Sequence, residues 1–120
     1  MSYTRTQFTA FYHNINNELK IVKQYKSQIL KNIEYGLIYD TVENQETFWI
    51  HFHEIFLYYY NALEIYVDEY QKDKMRSPKH LENLYMLYSN YCDASFEFSE
   101  LFNEFFILFQ KLLKNNTKST

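Results

Sequence analysis

The sequence predicts an all-α fold, an elongated antiparallel bundle of three helices within one domain spanning 1–120. Three observations predict it. Apolar residues recur at alternating intervals of four and three along almost the whole chain, a 3.5-residue repeat that a strand cannot produce. The only glycine, Gly36, and the only proline, Pro78, fall between such runs rather than inside them. At 120 residues the chain is long enough to bury a core without a disulfide or a structural metal.

The first helix is predicted from about Thr6 to Tyr35, with a seam of Phe8, Tyr12, Ile15, Leu19, Val22, Lys26, Ile29 and Ile33. Gly36 then suits the left-handed position that closes a helix. Lys26 is the charged member of the seam, expected to snorkel or to find a carboxylate and so fix register. A short connection centred on Asp40-Thr41 leads to the second helix, about Asn44 to Gln71. Its seam is Phe48, Phe52, Ile55, Tyr59, Ala62, Tyr66 and Tyr70, beside a second row of Trp49, Phe56, Tyr60, Leu63 and Val67. Two apolar rows on one helix imply two neighbours, which makes this the middle element. Ser77-Pro78 reads as an N-cap followed by proline at the first helical position, where its missing N–H costs nothing. The third helix is predicted from Pro78 to about Lys114, with a tail at 115–120 that frays. A break near Asp93-Ala94-Ser95 would turn three helices into four.

The net charge of −3 conceals a segregated pattern. Residues 40–70 and 82–110 hold twelve of the fifteen acidic residues and no Lys or Arg, while all twelve basic residues lie outside them. Thirteen Tyr and eleven Phe, together with abundant Asn, Lys and Ile, are what A/T-rich codons supply, as in low-GC bacteria, phages and plasmids. The single Cys92 is read as a packing residue and fits a reducing compartment. No signal-like apolar stretch and no bilayer-length run is present, so a cytoplasmic protein is expected, in the host cytoplasm if phage-encoded.

One glycine excludes the P-loop, the dinucleotide fingerprint and the nucleophile elbow, each of which needs several. His51 and His53 are two apart on a helix and point away from each other, leaving only the pair His51 and Glu54 on one side, too few for a metal site. His51 is read as an imidazole at the edge of the core and His53 as solvated. No catalytic residue, metal or cofactor is therefore assigned. Lys72, Lys74, Arg76 and Lys79 form the most basic segment and are the candidate contacts of an alternative, nucleic-acid-binding reading. Arg76-Ser-Pro-Lys-His80 also resembles the Arg/His pair of the HEPN ribonucleases, all-helical domains of similar length, with three intervening residues here where that family has four to six. The resemblance implies a dimeric ribonuclease in which His80 is the general acid or base.

The end of the third helix, Leu101 to Phe109, leaves only a narrow polar strip. There Phe102, Phe106, Phe109 and Leu113 are assigned to the core, and Leu101, Phe105, Leu108 and Leu112 to a leftover row awaiting a partner, with Glu97, Glu100 and Glu104 flanking it. The function expected is that of a non-catalytic protein-interaction module: a small accessory or inhibitor protein that docks on or occludes a protein partner, with self-association as a homodimer a related possibility.

Overall fold

The computed structural model describes residues 3–39, 46–72 and 74–118, with side chains of the last helix described as far as Ile107. The chain forms α1 (Arg5–Tyr39), α2 (Glu46–Lys72) and α3 (Pro78–Lys118), and the described residues contain no strand. The molecule measures 60 × 23 × 18 Å. Its radius of gyration of 17.7 Å exceeds the ~14 Å of a compact chain of this length, as side-by-side rods require. No described helix is long and apolar enough to cross a membrane.

The start of α1 is fixed by a reciprocal capping box. The Gln7 N–H donates to Thr4 Oγ1 at 3.1 Å, and the Thr4 N–H donates to Gln7 Oε1 at 2.8 Å. Helix α1 does not end at Gly36. It continues to Tyr39, Gly36 keeps a negative φ, and it is buried because the indole of Trp49 lies directly on its Cα. This glycine lets two backbones approach instead of stopping one of them. The connection at Asp40-Thr41 and the predicted start at Asn44 lie outside the described residues.

Helix α2 is the centre of the molecule. Both of its apolar rows are buried: Phe52, Ile55, Tyr59, Ala62 and Tyr66 in one, Trp49, Phe56, Tyr60, Leu63 and Val67 in the other. Each row reaches both neighbours: Tyr59 meets Glu18 of α1 and Phe98 of α3, and Trp49 meets Gly36 of α1 and Phe105 of α3. Helix α2 packs extensively on both α1 and α3, while α1 and α3 meet at few positions. The core divides lengthwise. Phe8, Ile15, Leu19, Leu63, Tyr66 and Leu84 occupy one end, and Ile33, Trp49, Phe52, Phe56 and Phe105 the other.

The turn into α3 follows the expected capping. The His80 N–H donates to Ser77 Oγ at 3.3 Å, and the Leu81 N–H donates to the Ser77 carbonyl at 2.9 Å. Arg76, just before the cap, adopts φ 55°, a left-handed conformation rare for a residue with a Cβ. Helix α3 then runs without a break. Ala94 is fully buried and holds the helix against α2, so Asp93 and Ser95 have no end to cap. Helical backbone extends to Lys118, beyond the Lys114 expected from sequence. Lys26 resolves its seam position with a ring rather than a carboxylate, its Nζ lying 4.2 Å from the centroid of Tyr60.

Candidate functional site

Phenols and one carboxylate tie the three helices together at mid-height. Glu18 of α1 accepts a short hydrogen bond from the Tyr59 hydroxyl of α2, and the Tyr91 hydroxyl of α3 lies 3.1 Å from both of its carboxylate oxygens. Burial, and then the Glu18 carboxylate, push both phenols well above the ordinary tyrosine range, so they remain neutral donors. Elsewhere the Tyr66 hydroxyl donates to the Phe8 carbonyl at 3.2 Å, and Tyr70 and Thr9 hydroxyls pair at 3.0 Å. A row of tyrosines on a seam needs such partners, and that need was the one sequence signal for the Glu18 cluster.

The basic turn is held by the protein itself. Lys72 Nζ lies 3.4 Å from Asp68 and 3.5 Å from Glu69. The Arg76 guanidinium sits over the Tyr70 ring at 3.7 Å, its Nη1 is buried, and its carbonyl accepts from Arg5 Nη2 at 3.2 Å. Burial alone would raise the Tyr70 phenol, but hydrogen bonds with Arg76 and Thr9 outweigh it and hold that group below its usual value. Of the four basic candidates, Lys74 and Lys79 are exposed and without a described ion pair, Lys72 is exposed and paired, and Arg76 is half-buried. His80 is 5% exposed, with Nδ1 3.8 Å from Glu69 Oε1 and Nε2 enclosed. In the single chain this imidazole is therefore enclosed and not presented at the surface.

His51 and His53 exchange the environments expected of them. His51 is exposed, whereas His53 is half-buried in a groove between α1 and α2 lined by Leu30, Glu34 and Leu37. Among the described residues no group of three potential metal ligands comes together. The grooves beside His53, beside Ile65 and Met86, and beside Tyr3 and Cys92 hold about 230, 230 and 170 Å³. Each falls short of the ~300 Å³ at which small-molecule sites begin.

The far end of α3 is rotated from the expected setting. Phe105 is 6% exposed, stacked on Phe52 at 5.0 Å and edge-on to Trp49 at 5.7 Å. Leu101 packs against the same cluster. Phe105 therefore belongs to the intramolecular core rather than to a partner surface, and Leu101 lies half-buried at its margin. Phe102, Phe106 and Ile107 are exposed instead. The side chains of Leu108 and Leu112 lie outside the described residues. Glu97, Glu100 and Glu104 are exposed, as are Glu82 and Asp93.

The carboxylates share their face with apolar side chains. Met86, Asp93, Glu97, Glu100 and Glu104 recur at intervals of seven, four, three and four, which places them on one side of α3. On α2, Glu54, Tyr58, Ile65 and Glu69 recur in the same manner. The two sides adjoin at the groove lined by Ile65, Glu69, Asn83, Met86 and Leu87. Tyr58, Ile65 and Met86 are 42%, 50% and 59% exposed within this acidic surrounding. Comparison with protein-family models, with curated proteins and with solved structures finds no match for this chain.

Proposed function

We propose that this chain is a non-catalytic protein-interaction module whose outer α2/α3 face docks on a basic surface of a partner protein. One observation supports the reading above the others: Ile65 and Met86 stand half-exposed over a shared groove, on a face where residues 46–71 and 80–107 supply carboxylates and no Lys or Arg. In such a site the apolar anchors would supply affinity and the surrounding charges orientation and association rate. Glu97, Glu100 and Glu104 keep the orienting role expected from sequence, while the anchors become Tyr58, Ile65 and Met86. By covering a basic surface the module would act as an accessory or inhibitor protein.

The test is affinity capture from the native host with the wild-type chain and with Glu97→Lys/Glu104→Lys. A basic protein retained by wild type, released by raised salt and lost with the charge-reversed variant is the expected result. Equal retention of the same proteins by both baits, with salt-independent elution, refutes the assignment.

A further inference from the structure

Helices α1 and α3 run in the same direction and lean on α2 rather than on each other. Near their starts the gap between them is filled. Phe11 stacks on Tyr88 at 3.8 Å and 2°, and Tyr3 reaches both Tyr85 and Tyr88. At mid-height Glu18 and Tyr91 bridge it. The heptad positions that continue these rows are Tyr25, seven after Glu18, and Phe102, fourteen after Tyr88, and here the seam stands open. Tyr25 is 48% exposed and Phe102 36%, with Ile21 at 59%, Phe106 at 50% and Phe96 at 67% beside them.

Helical spacing makes this strip mostly neutral: its polar members are Gln28 and Asn32 of α1 and Ser99 and Asn103 of α3, with Lys31 at its border on α1 and Asp93 and Glu100 at its border on α3 beside Phe96, while Lys23 and Glu34 fall on the far side of α1. In a chain of net charge −3, two copies meet on this strip with less like-charge repulsion than on the α2/α3 face, where Glu54, Glu69, Glu97 and Glu104 stand together.

We propose that the open α1/α3 seam is the contact surface for a second copy of this chain, paired antiparallel about a twofold axis so that each strip covers the other. Such an isologous contact is self-complementary by construction, with neutral amides and hydroxyls rimming an apolar centre on both sides. At roughly 200 Å² per side chain, the exposed parts of the five apolar residues come to about 500 Å². The polar rim extends this toward the ~800 Å² per partner of a standard interface.

The experiment is light scattering on the full chain across a concentration series. The expected wild-type mass is twice 14.8 kDa. Tyr25→Glu/Phe102→Glu sets like charges against each other across the twofold and removes two anchors, raising the dissociation constant at least about 100-fold with helicity retained. Ser99→Arg, at an exposed position that leaves the core untouched, shifts it in the same direction. Ile65→Glu/Met86→Glu, on the acidic face, leaves the dimer intact while abolishing capture of the basic partner, so the two surfaces are scored apart. A wild-type mass of 14.8 kDa at every concentration overturns the proposal. So does a dimer indifferent to both seam variants, or one dissolved by the acidic-face variant.

Discussion

Replacing Gly36 by alanine sets two effects of opposite sign against each other. A mid-helix Gly→Ala change ordinarily stabilises a helix by about 1 kcal/mol, because alanine loses less backbone entropy. Here the added Cβ would overlap Cδ2 and Cε2 of Trp49 and lie 2.5 Å from its Cζ2, against an ordinary carbon–carbon separation of about 3.5 to 4.0 Å. The ring has little room to retreat: Trp49 is 2% exposed, and Phe105 and Phe48 stand edge-on to it at 5.7 and 5.3 Å. Relief therefore requires α1 and α2 to separate by about 1 Å, an overpacking at the upper end of the range of about 1 to 3 kcal/mol. The net expectation is a loss of about 2 kcal/mol, seen as a fall of about 6 to 12 °C in Tm by circular dichroism. In a Trp49→Leu background the collision is gone, and the same change becomes neutral or stabilising by up to about 1 kcal/mol. If Gly36→Ala stabilises the otherwise unaltered chain, the close approach of the two helices is refuted.

Two more perturbations carry a definite sign. Tyr59 and Tyr66, 5% and 0% exposed, have folded pKa values raised above 10 by burial. Protonated phenols are therefore part of the folded state, and their contribution is complete below pH 10 and lost as pH rises past it, at up to about 1.4 kcal/mol per pH unit for each group. Urea midpoints should hold steady between pH 8 and about 9.5 and fall above pH 10, with a shallower fall in Tyr66→Phe; a flat profile to pH 11.5 contradicts this. Arg76 bears both a left-handed backbone and a stacked guanidinium, so Arg76→Gly and Arg76→Ala lose the same stack but only glycine relieves the backbone. Arg76→Gly should be the more stable of the two by about 1 kcal/mol in denaturant melts, and equal stabilities count against strain at this turn.

The helices were legible because their signals are redundant. A 3,4 repeat read over eight or more positions survives the odd Lys26, and the double row on α2 states outright that it has two neighbours. Ser77-Pro78 is equally local and equally clear. Gly36 was ambiguous, because a glycine that ends a helix and one that admits a neighbour are identical in sequence, and the partner that decides, Trp49, is thirteen residues away. The end of α3 failed for another reason. From Leu101 to Phe109 nearly every position is apolar, so periodicity gives no phase, and the angle is set by how Phe105 fits between Phe52 and Trp49. His51 and His53 were exchanged because their assignment depended on which side of α2 faces α1. The Thr4–Gln7 capping box was plainly written in the sequence, and its pattern places the start of α1 more sharply than the apolar repeat does.

The Glu18 cluster also guards against misalignment. Greasy helices with a uniform repeat slide past one another at little expense, since one aromatic layer resembles the next. Shifting α3 by a heptad in either direction would bring Leu84 or Phe98 opposite Glu18 in place of Tyr91, stranding a carboxylate against hydrocarbon. A single acidic side chain thereby distinguishes the correct alignment from those one heptad away on either side.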